Sequence, residues 1–256
     1  PFAEDAYETI TYPVVFHLIQ DKTKVELGQG VGADIVNYAF NTIYNCFART
    51  AAFSPNGADT KIRFRLAEYD PNGRKMEEKG INRYSLSTSD LNNLNPEKIK
   101  NNPKICWDYK RYLNIWIVEN MGNSVSTPHY ILNTADLNQI QGVSFEQLSL
   151  EEIEKQEYSL TDIGLIYGAR DFAIEDVGYP TQMGKFFGLL DTENQKEDYC
   201  EDTFAYNTYK EPWNTALEGS NSRLKISTDG LIFYSVNIMD ASSYKNTISM
   251  DQVKRI

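Results

Sequence analysis

Residues 112–119, YLNIWIVE, constrain the fold more than any other stretch of this chain. Apolar side chains follow one another there without the polar alternation of a half-exposed strand. A strand of that kind is stable only where both faces of its sheet are covered, so it predicts a central strand and a layer of structure on each side. Residues 12–20 (YPVVFHLIQ) form a second apolar, β-rich run, opened by a proline that suits a strand start or an edge. Residues 61–67 alternate strictly, with Ile62, Phe64 and Leu66 on one face and Lys61, Arg63 and Arg65 on the other, which predicts a half-exposed strand. Residues 81–86 and 162–168 (DIGLIYG) add two more strands.

Between the first two strands, Ile35, Val36, Ala39, Phe40, Ile43, Tyr44 and Phe47 recur at helical spacing, predicting an amphipathic helix over 32–48. Ser87, Thr88, Ser89 and Asp90 offer N-caps for a short helix ending before Pro103. Pro-Asn-Gly at 55–57 and 71–73 predicts turns. Residues 121–160 read as a long polar excursion with an acidic helix near 150–155, and residues 193–221 as loop. Residues 232–239 end in a turn before a short polar C-terminal helix. Residues 1–11 read as a polar, acidic tail and 12–256 as a single domain. The start at Pro1 is read as the mark of a leader already removed.

Composition excludes several functions. Hydrophobic residues at 41% argue against disorder, and no apolar run reaches the roughly 18 residues of a membrane span. The formal charge of −11 would repel a phosphate backbone, so nucleic acid is not an expected partner. Cys46, Cys106 and Cys200 are widely spaced with no C-x-x-C pair, which removes a zinc ribbon or a thioredoxin-like site. One disulfide with one free thiol and three buried thiols both remain open.

Several landmarks occur in one order: YPVVFH, the amphipathic helix, RYLNIWIVEN, DIGLIYGA, residues 179–192 (YPTQMGKFFGLLDT), CEDTFAYN, NIMDAS and KNTISMDQVKRI. From about residue 12 onward this series resembles the pappalysin-like metzincins, the M43 family of zinc metallopeptidases. The resemblance implies an α/β (α+β) zincin fold: a twisted mixed five-stranded sheet, two long helices in an upper lobe of about 12–188, and an irregular lower lobe of about 189–256. It also implies a secreted or surface-anchored bacterial protein, such as a lipoprotein.

The metzincin signature H-E-x-x-H-x-x-G-x-x-H supplies three zinc-binding imidazoles and a glutamate base. In this chain its positions are held by Thr181, Gln182, Lys185, Gly188 and Asp191, and Met239 of NIMDAS stands at the Met-turn position. The chain departs from the signature everywhere except the glycine. A threonine hydroxyl is a poor zinc ligand, a lysine ammonium repels the dication, and glutamine has no basic lone pair. With only His17 and His129 in the chain, a three-histidine site cannot be built. Both are read as structural or surface histidines, Gly188 fits a helix C-cap, and Pro180 fits a helix start.

No zinc is therefore expected. Lys185 and Asp191 are expected to meet where the metal would stand, with Thr181 or Gln182 beside them. Glu201 and Asp202 read as a solvated acidic loop, with a structural calcium site as the alternative the resemblance suggests. The favoured function is a catalytically inactive pseudo-peptidase that binds a peptide or protein. The alternatives are an active zinc peptidase with atypical ligands and a structural surface module; the oligomeric state is left open.

Overall fold

The structure, a computed structural model, describes residues 8–24, 30–51, 57–121, 149, 151, 155, 157–174, 178–192, 198–206, 224–240 and 245–256. Most of the predicted acidic helix, most of the 121–160 excursion, most of the 193–221 loop and His129 lie outside them.

Five strands form the main sheet: β1 (Ile10–Asp21), β2 (Ile62–Leu66), β3 (Ile81–Leu86), β4 (Leu113–Val118) and β5 (Gly164–Gly168). The order is β2, β1, β4, β5, with β3 continuing alongside β1 where β2 leaves it. All four ladders are parallel, so this part of the sheet is not mixed. Each return to the sheet runs through a crossover, which is what parallel neighbours require. The first crossover is α1 (Ala33–Phe47), whose Val36, Ala39, Ile43 and Phe47 are buried at the predicted spacing.

β4 is buried at every residue and lies between β1 and β5, the central position its composition demands. Pro13 is the fourth residue of β1 rather than its start, and among the described residues β1 is paired there with β2 alone, so its other side is an open edge. Even-numbered residues of β1 bond toward β2 and β3, as Phe16 N does with Gly80 O at 2.8 Å. Pro13 therefore turns its missing N–H toward β4, one residue before that ladder starts at Val14.

Alternation along β1 and β4 divides the core. Phe16, Leu18, Ile115 and Ile117 face α1 and the later helix Tyr179–Phe186, whereas Ile19, Trp116 and Val118 face a second layer that includes Leu91, Ile99 and Ile105. That second layer contains α2 (Thr88–Asn92) and α3 (Pro96–Lys100), two short helices where one was predicted. Ser87 caps the first, and the break is local: Asn95 caps a new helix with Pro96 in its first turn. Gly164 is fixed by packing, since a Cβ there would lie 2.3 Å from Asn114 O and 2.6 Å from the Trp116 ring.

After β5 come α4 (Ala169–Ala173) and α5 (Tyr179–Phe186). A 3-10 turn at Leu160–Asp162 ahead of β5, a small antiparallel hairpin of β6 (Leu224–Ile226) with β7 (Ile232–Tyr234), and the C-terminal α6 (Met250–Arg255) complete the described elements. Of the two long helices expected, α1 has 15 residues and α5 only 8. No helix among the described residues is long and apolar enough to cross a membrane. All three cysteines are free; burial pushes the thiols of Cys46 and Cys200 up to about 12, so neither is a nucleophile near neutral pH.

Candidate functional site

The degenerate signature is carried by α5 and the chain that follows it. Gly178, at φ +56°, turns the backbone into the helix, and Pro180 occupies the first turn, where its missing N–H is no loss. Tyr179, Met183 and Phe186 bury one face of α5 against α1 and the sheet. The helix ends in a Schellman motif: Gly188 N donates to Lys185 O at 2.9 Å and Leu189 N to Gly184 O at 2.9 Å, with Gly188 at φ +89°. That left-handed residue reverses the chain, so residues 189–192 return past the helix. Arg255 Nε anchors the reversal by donating to Gly188 O at 2.7 Å.

The reversal brings Asp191 to the helix it has just left: Lys185 Nζ lies 2.9 Å from Asp191 Oδ2. The two side chains are 31% and 46% exposed. At that exposure solvent screens the pair, which places its worth at about 0.2–1 kcal/mol, well short of a buried ion pair. The pairing fills a position; it does not hold the fold together.

Thr181 does not join it. Its hydroxyl is buried, donates to Ile238 O at 2.5 Å and accepts from Lys245 Nζ at 2.9 Å. Gln182, half-buried, donates its backbone N–H to Gly178 O. Met239 sits in the turn 237–240, closed by Asp240 N donating to Asn237 O at 3.1 Å. The turn lies directly under α5: a Cβ on Gly184 would meet both Ile238 Cδ1 and Met239 Sδ at 3.0 Å. Thr192 ties the returning chain to the same turn, its hydroxyl donating to Asp240 Oδ1 at 2.7 Å.

These residues do not fit zinc. Thr181 has its hydroxyl engaged on both sides, Lys185 is a cation already paired, and Asp191 is a single carboxylate. Among the described residues no three His, Cys, Asp or Glu side chains cluster as a metal site. His17 lies on the other face of the sheet, its ring 5.3 Å from Trp107 and 6.1 Å from Trp116.

The acidic loop is exposed to solvent at Glu201 and Asp202, and one of its carboxylates is bonded as well. Asp202 Oδ1 accepts from Ser249 Oγ at 2.6 Å and Oδ2 from Asp251 N at 3.0 Å, so this carboxylate holds the start of α6.

Two residues had no pattern to announce them. Lys245 brings an ammonium to the Thr181 hydroxyl, and Asp240 buries a carboxylate beside the Met239 turn. The adjacency of Asp240 to Met239 was the one available cue.

No protein-family model and no curated protein matches the chain. Solved structures do. Mature mirolysin of Tannerella forsythia in complex with a cleaved peptide aligns with 97% of this chain and 90% of its own, at TM-score 0.57 and 18% identity. Mirolysin in complex with compound 9 gives TM-score 0.56 and 16% identity over 97% of this chain and 90% of its own. A promirolysin mutant from T. forsythia gives TM-score 0.57 and 17% identity over 98% of this chain and 80% of its own. The chain thus has a metzincin-like metallopeptidase fold.

Proposed function

We propose that this chain is a catalytically silent, pappalysin-like (M43-type) relative of the metallopeptidases whose substrate cleft has become a binding surface for a peptide or protein. One observation carries the reading: an ammonium stands at position 185 and pairs at 2.9 Å with a carboxylate at 191, where the signature has two imidazoles. The glutamate base is also replaced, by Gln182, so the signature's own ligands and base for activating water are both missing from these positions. The peptide seen with a neighbour of the same fold supports a peptide as the ligand class. On this reading residues 12–256 form one domain, its lobes meeting just after Gly188, and the protein works outside the bacterial cytoplasm.

Metal analysis of the purified chain, a broad peptide-cleavage assay with and without chelator, and selection from a displayed peptide library test this together. The expected result is no stoichiometric zinc, no chelator-sensitive cleavage, and selected peptides whose binding weakens on Lys185→Glu. Stoichiometric zinc with chelator-sensitive cleavage overturns the reading in favour of an active peptidase. A library that yields no binder leaves a structural module instead.

A further inference from the structure

The pair at 185 and 191 offers more than a blocked metal position. Lys185 Nζ and Asp191 Oδ2 lie 2.9 Å apart, and their side chains are 31% and 46% exposed, so a ligand can reach both. An ammonium has three N–H donors and a carboxylate about four lone-pair sites. Their mutual contact uses one of each, and among the described residues neither side chain has another polar partner. What remains is a donor and an acceptor side by side at the surface.

The backbone beneath them is held. Lys185 is in the last turn of α5, and the left-handed Gly188 returns the chain toward it. Arg255 ties that reversal at Gly188 O, and Thr192, the residue after Asp191, is tied to Asp240. Both side chains therefore stand on anchored residues, which lowers the ordering cost of a contact made through them.

The charges select the occupant. A ligand carboxylate drawn to Lys185 would stand almost as close to the Asp191 carboxylate, and a ligand ammonium drawn to Asp191 almost as close to Lys185. Each meets one unlike and one like charge, and the two nearly cancel. A neutral group that carries an acceptor and a donor gains at both ends, because each of its hydrogen bonds is made to an ionised partner. A peptide backbone supplies such a group at every residue. In an extended chain the N–H and C=O of one residue lie on the same edge, their N and O about 3 Å apart by standard bond geometry. Two residues of an antiparallel ladder exchange both of their bonds through such groups. The 2.9 Å between Lys185 Nζ and Asp191 Oδ2 matches that spacing.

We propose that the pair docks peptide backbone, holding one residue of an extended peptide as a neighbouring strand would: Lys185 donates to that residue's carbonyl and Asp191 accepts from its N–H. On the peptide-binding reading, which this assignment presupposes, the group at the position the signature gives to the metal is a neutral internal backbone unit, not a charged end or side chain.

The probes are the tightest binders from a displayed peptide library, resynthesised with both ends capped and remade with one backbone amide at a time replaced by an ester. Calorimetry on the full chain reads their affinities. Esters at two successive linkages are expected to weaken binding about tenfold each, the first by removing the N–H and the second by weakening the carbonyl as an acceptor. The first penalty should vanish in Asp191→Ala and the second in Lys185→Met, substitutions at half-exposed positions that the fold tolerates. A scan with no such pair of linkages, or penalties that persist in both variants, overturns the proposal and leaves peptide binding intact. Binding that instead needs a free terminus, or a charged or amide side chain coupled to Lys185 and Asp191, places another group on the pair and also overturns it. A library that yields no binder removes the peptide reading itself, and this assignment with it.

Discussion

His17 is held neutral in the sheet by partners that leave no room for a second proton. Its Nε2 donates to Asn114 Oδ1 at 2.8 Å, while Asn82 Nδ2 donates to its Nδ1 at 2.9 Å. Asn114 cannot rotate to accommodate a change, because it also accepts from Trp107 N at 3.1 Å and donates to Trp107 O at 2.9 Å. Burial lowers the His17 pKa from 6.5 to about 4. Above pH 6.5 the imidazole is neutral folded and unfolded, and its contribution to stability is complete. Between pH 6.5 and about 4 the unfolded chain takes up the proton and the folded chain does not, so stability falls as pH falls. The slope is about 1.4 kcal/mol per pH unit, or about 3 kcal/mol across the window. Urea unfolding at several pH values should show this slope in the parent and its loss in His17→Gln; an unchanged slope in the variant would assign it to other groups. The chain read as sequence put His17 in a strand but gave no hint of this network, because its partners are 65 and 97 residues away.

At the scale of single elements, α5 depends on the glycine that ends it. Gly188 is at φ +89° with nothing within 4 Å of where a Cβ would stand, so Gly188→Ala carries the cost of the left-handed backbone and no clash. Thermal or chemical unfolding should register a loss of about 1 kcal/mol. An unchanged midpoint would show that Arg255 and Leu189 set the helix end without the glycine. The stop at Gly188 and the start at Pro180 were both legible in the sequence, since each acts on its own backbone. The approach of Lys185 to Asp191 was legible through the family frame. The position of Thr181 was not: its partners, Ile238 and Lys245, are 57 and 64 residues distant. The β6–β7 hairpin also went unread, because three-residue strands carry too little alternation to register. Asp229-Gly230, with Gly230 at φ +92°, was the local cue for its turn.

The molecule as a whole is organised on the strand that precedes the others in its sheet. β1 pairs with β2, β3 and β4, and His17 reaches its partner in β4 across 97 residues of sequence. Strand existence and centrality could be read from β4 alone, but strand direction could not, since it depends on how every connection crosses the sheet. During synthesis β1 leaves the ribosome ahead of the other four strands and gains its last neighbour only after residues 113–118 have followed. Until then a strand rich in valine, isoleucine and phenylalanine has an unpaired edge open to other nascent chains. Refolding from urea, followed by tryptophan fluorescence, should therefore take about a second or longer, with a yield that drops as protein concentration rises. Millisecond recovery independent of concentration would mean that the edge is protected from the outset. A holdase chaperone present during translation should raise the soluble yield for the same reason, by shielding β1 until β4 arrives.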